Sequence, residues 1–223
     1  AAHAITSSFL PLELVFEHRN YFATLGVLVA AYALVARIWQ EPVSPRLPFG
    51  VALVVLSGLA GLTVLRASAW GDPVHLAMEL AQINPTSPRA GTGLGDQYLL
   101  LSGTRPNDPF LQLAEKEYER AAALPGASPI PEQGLLIMAA QLGRPARDDW
   151  WTSLLAKLAN RPIGPQEMAV VTSLLDLRNS GLPIDDRRLA DAYMVLSRRM
   201  TLPPTQYFAF AMHALVDLDD RQT

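Results

Sequence analysis

Apolar residues along this chain change their spacing once, near residue 70. Ahead of that point they run in unbroken blocks. Beyond it they recur every three or four residues, as on the inner face of an amphipathic helix. Two blocks reach membrane length, residues 21–39 (YFATLGVLVAAYALVARIW) and 47–65 (LPFGVALVVLSGLAGLTVL). About 20 helical residues at 1.5 Å each cross a hydrocarbon layer of about 30 Å, and each block comes close to that. Both are apolar on all sides and carry interfacial anchors: Tyr21 and Trp39 on the first, Arg46, Arg66 and Trp70 around the second. A pair of buried helices in a water-soluble core is the competing interpretation. The anchors favour a transmembrane hairpin over residues 21–66, with Gly58, Ala60 and Gly61 allowing another helix to come close.

The connector 40–45 is short and broken by Pro42 and Pro45, so the two spans run antiparallel. Arg37 and Arg46 bracket it and assign it to the cytoplasm by the positive-inside rule. The N-terminal segment and everything after Arg66 then fall on the periplasmic face of a bacterial inner membrane. Residues 9–16 are apolar but too short to cross, which makes 1–20 an interfacial or re-entrant segment.

From residue 72 to 223 the pattern predicts helices over 73–83, 88–102, 109–123, 131–142, 148–159, 165–180, 185–200 and 203–217. Most open on a proline in the first turn or an Asp cap, as at Asp148-Asp149 and Asp185-Asp186. No strand-period run of comparable strength occurs, so the fold class is all-α, and the helix–turn–helix rhythm predicts an α-solenoid. The spacing of small and large residues fits the tetratricopeptide (TPR) grammar at one repeat. Leu94, Gly95 and Tyr98 match its first helix, Ala114, Tyr118 and Ala121 its second, and Pro125 closes it. Gly91 stands where the repeat has Trp, and the turn from Gly103 to Pro109 is longer than the template. Leu154, Leu155 and Leu158, like Tyr193, Leu196 and Met200, are expected in the shared core. Residues 207–215 are expected to form a terminal helix docked on the end of the array.

Composition narrows the function. Of 223 residues 50% are hydrophobic and 17% charged, and the net charge of −3 supplies no basic footprint for nucleic acid. With no Cys, thiol catalysis and Cys-ligated metal sites are excluded. The four histidines share no ligand spacing, so neither a metal nor another cofactor is expected. Asp148-Asp149-Trp150-Trp151 is most simply an acidic first turn followed by core tryptophans. Residues 217–220 (DLDD) are expected to be a frayed, solvated tail.

The order of features resembles a known junction. Glu17-His18-Arg19-Asn20-Tyr21-Phe22 precedes Leu25-Gly26 and the hairpin. Arg66-Ala67-Ser68-Ala69-Trp70 and Asn84-Pro85-Thr86-Ser87-Pro88-Arg89-Ala90 follow it. Over roughly residues 9–125 the chain is similar to the C-terminal end of the transmembrane-and-TPR O-mannosyltransferase-like family of the GT-C superfamily. The resemblance implies a parent enzyme that transfers sugar from a polyprenyl-phosphate carrier, with a TPR tail on the periplasmic side. Nothing here corresponds to the acidic catalytic motif of such enzymes, which lies in an early extracytoplasmic loop. The chain is therefore expected to be a C-terminal portion, or a separate subunit, that is not catalytic alone. Its expected partners are membrane lipid, other membrane helices or subunits, and a peptide or protein in the TPR-like groove.

Two interpretations of Glu17, His18, Arg19, Asn20 and Tyr21 stand side by side. They form a polar cluster at the membrane mouth, where Arg would grip a lipid phosphate and His beside a carboxylate would shuttle a proton. Equally, they form an interfacial belt in which Arg19 snorkels to headgroups and Tyr21 anchors.

Overall fold

The computed structural model describes residues 46–218 and, ahead of them, the single positions Gly26, Val29, Ala30, Ala33 and Arg37. The chain divides into two compact units, Ala1–Leu65 and Arg66–Thr223. Among the described residues there are nine α-helices and no strand. They are α1 (Arg46–Trp70), α2 (Pro73–Ile83), α3 (Pro88–Ser102), α4 (Pro109–Ala123) and α5 (Ile130–Gln141), followed by α6 (Asp148–Asn160), α7 (Pro165–Asn179), α8 (Asp186–Arg199) and α9 (Pro204–His213). A π-helical turn, Ala214–Leu218, ends the described chain.

Local chemistry sets these boundaries. The Asp72 carboxylate accepts from the amides of Val74 and His75, and Ser87, Asp108 and Asp185 do the same for Ala90, Phe110 and Arg188. Each satisfies a first-turn donor that has no partner inside its helix. Proline follows the cap in α2, α3 and α4, where its missing N–H costs nothing. α3 stops at Gly103, whose left-handed backbone (φ 55°) suits a residue without Cβ. The last expected helix is the exception: its α-helical part ends at His213 and the chain winds on as the wider turn.

From α2 onward the helices stack as antiparallel pairs. Contacts join α2 to α3, α3 to α4, α4 to α5, α5 to α6 and α7 to α8, while α3 meets α5, α5 meets α7 and α6 meets α8. Odd- and even-numbered helices thus form two layers, an arrangement consistent with an α-solenoid and compatible with TPR-like repeats. The main core runs from Leu111 to Phe210 and includes Leu154, Leu158, Tyr193 and Leu196, with Leu155 and Met200 packed at its edge. A smaller cluster of Ala77, Ala81 and Leu94 joins α2 to α3.

A hydrogen-bond device repeats with the stack. Basic residues near the C-terminal ends of α4, α6 and α8 reach back to carbonyls that close the previous even-numbered helix. Arg120 donates to Pro85 O at 2.6 Å, and Lys157 donates to Ala122 O at 2.9 Å. Arg161 donates to Gly126 O at 2.6 Å and also to Ala127 O. Arg199 donates to Leu158 O and Arg161 O, both at 2.7 Å. Carbonyls past a helix C-terminus lack partners within the helix and carry its negative dipole end, so a cation satisfies both needs.

Among the described residues no helix is long and apolar enough to cross a membrane. The expected transmembrane hairpin therefore finds no support there. Its first span, 21–39, lies outside the described residues apart from single positions. In α1 the side chains of residues 46–49, 52, 66 and 69 are not described.

Candidate functional site

Between α2 and α3 lies an open groove of about 750 Å³, reached also by Ser128, Ile130 and Gln166 from the next pairs. One wall is apolar and comes from Leu76, Ala77 and Leu80 of α2. The other is the α3 face that carries Ala90, Gly93 and Gln97 at helical spacing. Asn84, Gln97 and Gln166 add side-chain amides, and Arg89 stands at the start of α3. None of these four side chains has a hydrogen-bond or ionic partner among the described residues.

The repeat signature builds the scaffold behind this groove. Leu94, Ala114, Tyr118 and Ala121 are buried, and Tyr98 is half-buried against Phe110. The Tyr118 ring lies between two helices, where a Cβ added at Gly95 would fall 2.7 Å from it and one at Gly134 2.6 Å. Its hydroxyl donates to Asp96 Oδ1 at 2.6 Å, which fixes that carboxylate on the groove wall. Burial, then the Asp96 hydrogen bond and charge, push the Tyr118 phenol well above the ordinary tyrosine range. Pro125 sits exposed in the turn after α4. A Cβ at Gly91, where the repeat template has Trp, would come within 2.9 Å of the Arg120 guanidinium. Glycine there leaves the path by which Arg120 reaches Pro85 O.

Glu17, His18, Arg19, Asn20 and Tyr21 all lie outside the described residues. Trp150 and Trp151 are buried in the core, and Asp148 and Asp149 occupy the first turn of α6. Asp217, expected in a frayed tail, instead pairs with Arg178 at 2.7 Å.

Two buried polar clusters escaped sequence reasoning. Glu132 is 1% exposed and takes Lys157 and the Ser153 hydroxyl on Oε1, both at 2.6 Å, leaving Oε2 without a partner. At the far end Asp186 turns inward from the α8 N-terminus to meet Arg178 Nε at 2.7 Å and His213 Nε2 at 2.9 Å. His213 Nδ1 lies 3.3 Å from the Tyr193 hydroxyl. Burial, and then the charges of Asp186 and Asp217, raise the Tyr193 phenol. Desolvation alone would lower Arg178, but hydrogen bonds to Asp186 and Asp217 raise it. The sequence signal for both clusters is faint: an acid in the first turn of its helix, with partners 8 to 27 residues away.

A smaller cavity of about 310 Å³ lies under the α5–α6 and α7–α8 turns, beside Arg144, Trp151 and Asp185. Among the described residues no group of three His, Asp or Glu is placed to hold a metal ion.

No family model, curated protein or solved structure matches this chain.

Proposed function

We propose that this chain is a membrane-anchored, TPR-like protein-interaction module that holds an extended segment of a partner protein in the α2–α3 groove. The observation that carries this reading is the groove itself. It joins an apolar wall to four polar side chains left without internal partners, on a repeat scaffold whose own core is closed behind it. Asn84, Arg89 and Gln166 are exposed and Gln97 is half-buried, so their polar groups stand open to a ligand at the concave surface. The test is peptide binding by the full chain in mild detergent, compared with Leu80→Arg in the groove wall and Leu100→Arg on the exposed α3 surface. Loss of binding in the first variant alone is expected. Equal binding by both would reject the groove.

Anchoring is supported by the character of α1. Taken whole it has 25 residues, about 37 Å of helix, and Val54, Leu56, Leu62 and Leu65 are all exposed on it. A Cβ at Gly58 or Gly61 would meet nothing, as expected of a surface kept smooth for a neighbouring helix. The Thr63 hydroxyl donates to Leu59 O at 2.8 Å, so it needs no water. On this proposal the repeat unit is periplasmic. A Ser128→Cys chain in intact spheroplasts should then react with an impermeant thiol reagent, and labelling only after lysis would refute the topology.

The proposal extends to the parent protein: a GT-C-like glycosyltransferase whose catalytic helices precede residue 1 and whose tail recruits acceptor protein. A second reading, a non-catalytic scaffold subunit of a larger inner-membrane complex, is favoured by the apolar face of Phe208, Met212, Leu215 and Val216 left open at the end of the array. The encoding gene separates the two. Several hundred upstream codons rich in membrane spans support the enzyme tail, and a start codon next to residue 1 supports the scaffold.

A further inference from the structure

Three glycines fall in α3, at positions 91, 93 and 95. Each costs the helix about 1 kcal/mol relative to Ala, so each calls for a reason. Two have one inside the fold: a Cβ at Gly91 would crowd Arg120, and one at Gly95 would overlap Tyr118. Gly93 has none, because a Cβ added there meets nothing within 4 Å. Its backbone is helical, so no positive φ demands glycine either. Gly93 nevertheless lines the groove, between Ala90 and Gln97 on the same face. A bare backbone at a concave surface is what close approach by another main chain requires.

Resting on the groove reading above, we infer that Gly93 is the contact floor for the main chain of an extended peptide, whose amides are gripped by Asn84, Gln97 and Gln166. A side-chain amide offers both a donor and an acceptor, matching the alternating N–H and C=O of an extended backbone without reading its sequence. Sequence preference comes from two other features. The apolar wall of Leu76, Ala77 and Leu80 takes one aliphatic side chain, and Arg89, which has no acidic partner among the described residues, favours an acidic residue nearby. A glycan fits less well, since no aromatic ring lines the groove for a sugar face to stack on.

The test uses the full chain in mild detergent. The probes are nonapeptides selected from a randomised pool with a fixed central Leu, then synthesised with free or N-methylated central amides. Gly93→Leu should lower affinity at least about tenfold with no fall in melting temperature, and N-methylation should have an effect of similar size. Gly93→Ala, the milder variant, should raise the melting temperature while weakening binding several-fold, and it decides the matter if Gly93→Leu does not fold. Selected sequences should be enriched in Asp or Glu, and Arg89→Glu should remove that enrichment; its persistence would overturn the role of Arg89. If peptides bind and Leu80→Arg abolishes binding, but neither Gly93 variant nor N-methylation matters, the Gly93 inference is overturned and the groove reading survives. If no peptide binds, or an oligosaccharide displaces those that do, both fall.

Discussion

At the scale of single residues, the Tyr118 ring is the tightest point of the fold. Gly95→Ala and Gly134→Ala would each gain about 1 kcal/mol of helix propensity. Each would also place a methyl 2.7 or 2.6 Å from a ring that has no room to move. Overpacking wins, and a net loss of about 1–3 kcal/mol is expected in urea titrations of either variant. Stabilisation by both would mean the ring is not held as described. Tyr118→Phe keeps the packing but removes the bond to Asp96, for a loss of about 1 kcal/mol near neutral pH. It also changes the alkaline limb. The folded phenol titrates above the unfolded one, whose pKa is about 10, so the folded state holds more protons in that range. The stabilisation is complete below pH 10 and is lost as pH rises toward the folded value. Denaturation curves between pH 8 and 11.5 should fall less steeply for Tyr118→Phe than for the parent. The Leu94–Gly95–Tyr98 and Ala114–Tyr118–Ala121 spacing was legible in the sequence because it follows helical period. That Gly134 forms the second side of the same slot was not, since the contact depends on how α5 lands on α4.

At the scale of elements, the reach-back of Arg120, Lys157, Arg161 and Arg199 ties each pair to the one before it. Lys157 bears the most, because it also neutralises Glu132, and the pair is almost wholly out of water. Lys157→Met should cost about 3–5 kcal/mol by leaving that carboxylate buried with no counter-charge, only the Ser153 hydroxyl still donating to it. Glu132→Gln combined with Lys157→Met should recover a large part of the loss, and a double variant no more stable than the single would show that the charge is not the cause. The helix starts were legible because caps and first-turn prolines act within a few residues. The cation partners were not, since each acceptor is a backbone carbonyl some 35 residues upstream and any residue type supplies one.

For the whole second unit, stability should be greatest in the middle. α2 is joined to α3 through a core of only Ala77, Ala81 and Leu94, whereas α4 to α8 share the large cluster. Solenoids stabilise each repeat through its neighbours, so members with one neighbour open first. Amide hydrogen exchange should therefore run faster in α2 and α9 than in α5 to α8. The groove wall would then belong to the more easily opened part of the unit, which suits a site that admits a peptide. At the other end, Arg178 holds Asp186 and Asp217 together and so ties down the terminal turn. Arg178→Ala should speed exchange in α9 and leave α3 and α4 unchanged, and uniform acceleration along the chain would contradict such a local latch.

Sequence by itself determined the helical class, most helix boundaries and the glycine–aromatic core of the best repeat. All of these follow from propensity, capping and a 3.6-residue period within one or two turns of chain. It also marked two apolar blocks of membrane length, whose placement is still a proposal. Only the tertiary structure decided which partners lie across pairs: the carbonyls met by the cations, the inward turn of Asp186, the pairing of Asp217 and the groove between α2 and α3. The physical reason is the same in each case. A helix fixes what lies three or four residues away, while a contact 20 to 40 residues distant is set by the length of the intervening turns and the angle at which one pair settles on the next.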